Sequence, residues 1–369
     1  MAKSSGRLVS LDILRGLTIA FMIIVNTPGS WKYIYSPLRQ SVWHGCTPAD
    51  LVFPFFLFIV GVSTYYSLKK YNNELNGRSL LRIFRRVVTL FAVGLFLSIF
   101  PYFGKDLSTL RIMGVLQRIA IAYGISAIIC LSVTREYLWI VTAVLLLSYW
   151  GLLAFFGGTD PYSLATNFVR KTDLSVLGKN HMYIGFGLAF EPEGLLSTIP
   201  SVCTVIIGYF IGSMIGKSSA SMKVVLKLIL IGLAAAGLGY LWSFLLPINK
   251  SLWTSSYVLY SAGIAIAVFA FIYAIAEVLK FRIWGNFFLV FGTNALFSYV
   301  LVEIWTKILL LIRISSGEGK SSLYLWIYEK IFVPVLGNMN GSLMFAIIQM
   351  LLIWGVAFIL YRKKILIRV

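Results

Sequence analysis

The stretch Gln40-Ser41-Val42-Trp43-His44-Gly45-Cys46-Thr47-Pro48-Ala49-Asp50 sets an imidazole and a carboxylate six residues apart, just before an aromatic apolar run. His44 titrates near neutrality and is a natural base, although a loop histidine more often only completes hydrogen bonds. Thr47 followed by Pro48 reads as a helix N-cap with proline at the first helical position. That spacing puts Asp50 at the third helical position, facing inward. A second acidic pair, Glu191 and Glu193, flanks Pro192 ahead of another apolar run. Two carboxyls so close could perform acid–base work, but acids also favour helix N-termini, and capping is the expectation for Glu193.

Charges inside apolar runs are costly and imply function or a buried partner. Asp12 and Arg15 are three apart on one helical face and can pair locally. The alternative makes Arg15 a ligand for phosphate or carboxylate, groups that suit a planar guanidinium. Arg118, within Gly114-Val115-Leu116-Gln117-Arg118-Ile119-Ala120, has no acid within four residues. Its partner must come from another helix, and Asp50 is the natural candidate. Glu303 and Lys307 are four apart in the order that favours an intrahelical pair. Cys46, Cys130 and Cys203 fall in three separate segments, which suggests neither a disulfide framework nor a metal cage, so no metal site is expected.

Composition dictates the elements that must position these groups. Of 369 residues, 59% are hydrophobic and 12% charged, with a mean hydropathy of +0.88. Soluble domains carry about 25% charge. A chain this apolar cannot hide its side chains in one core, so most face lipid. The fold class is all-α, a polytopic membrane helix bundle. A crossing needs about 20 apolar residues. Such runs occupy about 9–27, 50–68, 83–101, 112–132, 137–156, 195–216, 224–246, 254–278, 285–311 and 342–361, which predicts ten spans in a single transmembrane domain over 1–369. The shorter segment 324–336, broken by Pro334, reads as interfacial or re-entrant.

The net charge of +19 sits in the connections between apolar runs, as a membrane orientation signal rather than a nucleic-acid surface. One set of ends holds Lys3, Arg7, Arg15, Lys69, Lys70, Arg78, Arg82, Arg85, Arg86, Arg135, Lys217, Lys223, Lys227, Lys280, Arg282, Arg362, Lys363, Lys364 and Arg368, most of the 32 basic residues. That bias predicts both termini on the cytoplasmic side. The opposite side carries the long loops, about 28–49, 157–194 and 312–341. The first two are rich in Trp, Tyr, Phe and Gly, and loops of such length are usually functional. They read as an acceptor-binding surface.

Taken in order, these segments resemble the transmembrane acyltransferase family of heparan-α-glucosaminide N-acetyltransferase, with this chain as a bacterial homologue. The residues that carry the resemblance are Ser10-Leu11-Asp12-Ile13-Leu14-Arg15-Gly16, Asn26, Trp43-His44-Gly45 and Ala49-Asp50-Leu51-Val52-Phe53-Pro54. Further along come Gly114-Val115-Leu116-Gln117-Arg118, Glu191-Pro192-Glu193-Gly194 and Asn249-Lys250-Ser251-Leu252-Trp253-Thr254. Each alone is weak; all of them in order are specific. The resemblance implies transfer of an acetyl group from cytoplasmic acetyl-CoA to the amine of a glucosamine-type sugar or glycan across the membrane. It implies Asn26, Asp50, His44 and position 40 at the reacting centre, and Trp43, Glu191, Glu193, Asn249 and Lys250 on the acceptor side. Arg15, Arg82, Arg85, Arg86 and Arg118 become candidates for the CoA phosphates, although orientation alone also explains the basic cluster. Membrane lipid is the expected surround, the bacterial cytoplasmic membrane the expected location, and a homodimer is allowed.

One position departs from the family pattern. The functional histidine stands three residues before the Trp of the Trp-x-Gly element, and this chain has Gln40 there. Glutamine can position a substrate but has no useful proton-accepting pKa, so the departure puts the activity of this chain in question. The rival readings are a transporter or flippase for a sugar or glycolipid, and an O-acetyltransferase of an envelope glycan. No inverted repeat supports transport.

Overall fold

The computed structural model describes residues 8–71, 74–101, 106–316 and 319–367. Lys3, Arg7 and Arg368 lie outside the described residues, as does the side chain of Lys70. The apolar runs are helices: α1 (Val9–Asn26), α2 (Pro48–Leu68), α3 (Gly77–Ile99), α4 (Val115–Ser132), α5 (Arg135–Phe156), the short α6 (Phe168–Leu177), α7 (Thr198–Gly216), α8 (Met222–Trp242), α9 (Ser255–Val278), α10 (Ile283–Thr293), α11 (Ala295–Leu311) and α12 (Leu323–Arg362). Among the described residues, eight are long and apolar enough to cross a membrane: α1, α2, α4, α5, α7, α8, α9 and α12. The chain is an integral membrane protein.

Three expectations are corrected. The span expected over 285–311 is not one helix: α10 and α11 meet at a 70° bend. Asn294 stands at the break, and its amide is used elsewhere, donating to Ile365 O at 3.0 Å and accepting from Ile367 N at 2.8 Å. The 157–194 connection is not all loop, because Asn167 accepts from Arg170 N at 2.8 Å and caps α6. The 312–341 connection holds a two-stranded antiparallel hairpin, β1 (Arg313–Ser316) and β2 (Gly319–Ser322), followed by the start of α12. Within α12 the chain breaks at Gly337, whose φ of 72° favours glycine. The part before the break folds back, so that the Tyr324 and Phe332 rings both contact Phe345.

Small residues let the central helices touch backbone to backbone, the usual packing device in lipid. A Cβ on Gly61 of α2 would lie 2.0 Å from Val205 O of α7, and one on Gly208 would lie 2.2 Å from Phe58 O. α1 meets α10 in the same way through Gly16 and Gly292. Apolar side chains of α5 and α8, including Trp139, Leu147, Leu230 and Leu233, remain exposed on the outside of the bundle. The two chain ends share one end of the molecule: Ser10 N donates to Glu277 Oε1 at 2.9 Å near the end of α9, and residues 365–367 bind Asn294 beside α10. At the other end the 27–47, 157–197 and 243–254 connections gather over the mouths of α2, α4, α7 and α9.

Candidate active site

Asp50 organises the gathered loops. Its placement is local chemistry: Thr47 caps, Pro48 opens the helix, and the Asp50 carboxylate turns back to accept Thr47 N at 3.0 Å. The same oxygen, Oδ2, accepts Ser41 N at 3.0 Å, which draws the Gln40 segment onto the helix mouth. The other oxygen faces Lys250 Nζ at 3.4 Å, and Tyr257 donates to the Asp50 carbonyl at 2.6 Å. A wholly buried carboxylate is tolerable only with such partners. Around this knot the loops interlock: Trp43 Nε1 donates to Tyr162 O at 2.8 Å and Gly45 N to Ile248 O at 2.8 Å. Trp43 also packs edge-on against Phe186 and Phe190. Asn249 reaches His44, Nδ2 to Nδ1, at 3.4 Å.

A second polar cluster lies beside the first. Arg111 grips Glu191 with two hydrogen bonds, 2.9 Å from Nε and 2.5 Å from Nη2, and Nη2 also meets Glu193 at 2.5 Å. The capping expectation for Glu193 is therefore corrected, since its carboxylate serves a guanidinium and α7 starts only at Thr198. The pairing of Arg118 with Asp50 is corrected as well. Arg118 donates to Gly194 O at 3.1 Å and to the Ser197 hydroxyl, and its guanidinium stands 5.2 Å from the centre of the Trp253 ring. Trp253 itself adopts a left-handed φ of 51°, a strained conformation for a bulky residue. Asp173 of α6 completes the cluster, accepting Leu195 N at 2.9 Å.

Charge in this cluster is uneven. Burial would raise Glu193, but Arg111, Arg118 and Lys250 outweigh it and hold the carboxyl below its ordinary range. Burial would lower Arg111, and Glu191 with Glu193 more than restore it. Asp173 is different: burial outweighs its backbone donors and the Arg118 charge, and pushes it up to about 6. Burial and the nearby Asp50 push the Cys46 thiol up to about 12 despite Lys250, so Cys46 offers no thiolate near neutrality. Desolvation lowers His44 against the pull of Asp160.

Asn26 is exposed at the end of α1, and Gln40 is exposed one residue before Ser41. The Asp12–Arg15 ion pair forms at 2.8 Å, and Arg15 also donates to Ser63 at 2.8 Å and to Gly292 O at 3.2 Å. Arg86 stands 4.4 Å over the Tyr123 ring and Arg82 6.0 Å from that of Tyr71, while Arg85 is exposed. Lys307 donates to the carbonyls of Leu97 and Phe100 at the end of α3, so the ammonium expected for Glu303 also closes another helix. Sequence reasoning missed Arg111, Asp173, Ser197 and His181, whose Nδ1 donates to Leu110 O at 2.8 Å. Arg111 carried a signal in hindsight: a lone cation three residues before the Gly114 motif, on the acid-bearing side.

The family model described as heparan-alpha-glucosaminide N-acetyltransferase, catalytic, matches residues 7–246. The chain is 30% identical to heparan-alpha-glucosaminide N-acetyltransferase of Mus musculus, over 82% of this chain and 54% of that protein. It is 28% identical to the Homo sapiens protein of the same name, over 81% and 53%. The chain thus spans about half the length of the curated relatives it matches.

Proposed function

Because the chain belongs to the catalytic family of heparan-alpha-glucosaminide N-acetyltransferase, we propose that it is a membrane N-acetyltransferase that moves an acetyl group from acetyl-CoA to the amine of a glucosamine-type sugar. The observation that carries this reading is convergence. Trp43-His44-Gly45 with Asp50 at the start of α2, Glu191-Pro192-Glu193 and Asn249-Lys250 come from three regions far apart in sequence, yet Asp50–Lys250, Gly45–Ile248 and His44–Asn249 tie the first and last together. Trp43 against Phe190 brings in the middle one. The acceptor is bound at this loop end, outside the cytoplasm, and the donor enters from the end that carries both termini.

Attack on a thioester needs a neutral amine held against the carbonyl carbon. Asp50, locked by Ser41, Thr47 and Lys250, fixes the segment that presents Gln40 and leaves Asn26 open at the end of α1 as a polar contact for sugar or acyl oxygen. Trp43 supplies an apolar wall for the sugar ring. Gln40 orients the amine but takes no proton, so transfer by this chain is slow. Arg15 is engaged with Asp12, Ser63 and Gly292, which leaves Arg82 and Arg85 as the better ligands for CoA phosphates. Arg118, enclosed by Gly194, Ser197 and Trp253, serves the architecture rather than CoA.

The test is a proteoliposome assay with acetyl-CoA and glucosamine, reading CoA release and the acetylated product by mass spectrometry. N-acetylglucosamine formed with equal CoA release supports the proposal. Sugar uptake without CoA consumption would establish the transporter reading instead, and an O-acetyl product the O-acetyltransferase.

A further inference from the structure

Two histidines occur in the chain, and their hydrogen bonds assign them opposite tautomers. Asn249 is wholly buried, and its Oδ1 accepts Leu252 N at 2.8 Å, which fixes the amide orientation. Nδ2 is then the atom that faces His44 Nδ1 at 3.4 Å. An amide nitrogen only donates, so His44 Nδ1 is the acceptor and the ring proton of neutral His44 sits on Nε2. His181 is the reverse: a carbonyl only accepts, so Nδ1 must carry the proton it gives to Leu110 O. His44 Nε2 has no protein acceptor among the described residues, and the residue is exposed.

We infer that Asn249 is a positioning residue that holds His44 as its Nε2–H tautomer, and that this N–H donates a hydrogen bond to the acetyl carbonyl oxygen during transfer. The inference rests on the acetyl-transfer reading and changes the part His44 plays: a donor to the acyl oxygen, not a base. In the step, the amine lone pair forms the C–N bond while the carbonyl π pair moves onto oxygen, where Nε2–H meets the developing charge. The pair returns, the C–S bond breaks, and its electrons leave as CoA thiolate. The surplus proton on nitrogen passes through water to that thiolate, so the products are the amide and CoA thiol. His44 neither gains nor loses a proton. The charge that acts on it is Asp160, from the 157–167 connection; the ion pair next to its partner Asn249 in sequence is Lys250 with Asp50. Desolvation keeps the ring neutral near physiological pH against the pull of Asp160, as a tautomer-dependent donor requires.

Asn249→Asp gives the two roles opposite signs. An aspartate keeps the Leu252 contact but accepts from Nδ1–H, so above the raised His44 pKa the ring proton leaves Nε2. Relative to wild type at each pH, which cancels titration of the acceptor amine, acetyl transfer by Asn249→Asp should fall as pH rises. A base at His44 would make that ratio climb. His44→Gln retains an N–H donor and should stay within about 10-fold of wild type, whereas His44→Ala should lose roughly 10²-fold in kcat. Equal loss in both overturns the donor role. The tautomer is read without activity, by nitrogen NMR of the full chain in nanodiscs with labelled histidine. Nδ1 of His44 should be unprotonated and Nε2 protonated, with His181 reversed as the internal reference. The opposite pattern at His44 overturns the inference even if Asn249→Asp does not fold. Absence of acetyl transfer by wild type to any amino sugar would instead overturn the acetyl-transfer reading and the donor role with it, while the nitrogen spectrum still decides the tautomer.

Discussion

Residues near Asp50 are legible in the sequence because their chemistry is local. Thr47, Pro48 and Asp50 sit within one helical turn, so capping rules alone place the carboxylate, and the structure puts it there. Arg111 and Glu191 are 80 residues apart, and no periodicity links them. The same distance in sequence explains why spacing offers Asp50 to Arg118 when Lys250 takes it. Position 40 carries the first prediction. If Gln40 occupies the site of a general base, Gln40→His should raise acetyl-transfer turnover by roughly 10²–10⁴-fold. CoA affinity, measured by calorimetry, should hardly move, because the imidazole acts far from the nucleotide. Unchanged turnover would mean that position 40 is not where the proton goes. Asp173 carries the second. Its folded pKa of about 6 lies above the ordinary carboxylate value, so the native state holds a proton that the unfolded chain releases. Stability from this group is therefore present at low pH and is lost as pH climbs from about 4 to about 6, by on the order of 3 kcal/mol. Asp173→Asn keeps the acceptor for Leu195 N and removes the titration. The difference in thermal stability between wild type and Asp173→Asn should widen in favour of the variant across that window, as read by melting in detergent at a series of pH values.

At the scale of elements, hydropathy locates the helices but not their breaks. The run 285–311 is apolar throughout, and only the tertiary use of the Asn294 amide by the last residues of the chain shows why α10 and α11 separate there. Likewise, the glycines of α2 and α7 read simply as small residues until the helices are seen to meet through them. Gly61 should be intolerant even of a methyl group, since Cβ would fall 2.0 Å from Val205 O and backbone cannot step aside locally. Gly61→Ala should cost on the order of 1–3 kcal/mol, the range of overpacked cores. Because α2 carries Asp50 and α7 follows Glu193, the forced separation should also weaken acceptor binding. Gly151→Ala in α5 and Gly237→Ala in α8 meet nothing within 4 Å and are the matched controls. They should melt at or slightly above wild type, because alanine restricts the unfolded chain. A melting point for Gly61→Ala equal to those controls would contradict the backbone contact.

For the molecule as a whole, the reading of function depends on sidedness, because an acetyl donor at one end and an amine at the other require the bundle to separate two compartments. In the orientation that the basic bias proposes, Lys217, Lys223, Lys227, Arg362, Lys363 and Lys364 share the cytoplasmic side. The geometry adds that the Trp43 and Lys250 connections share the opposite end with Asp50. Two exposed positions make this measurable: Val42, 86% exposed in the loop before Asp50, and Ser219, in the connection between α7 and α8. With Cys46, Cys130 and Cys203 replaced by serine, Val42→Cys should react with a membrane-impermeant maleimide in intact spheroplasts, and Ser219→Cys only after the membrane is opened. In vesicles of the same orientation, acetyl-CoA supplied on the Ser219 side should yield product on the Val42 side, and glucosamine supplied only on the Ser219 side should yield none. Labelling of both cysteines from one side would contradict a bundle that crosses the membrane between them. Product appearing beside the donor would keep the acetyltransferase but remove the transmembrane path, and with it the reason for placing acceptor loops and CoA arginines at opposite ends of the helices.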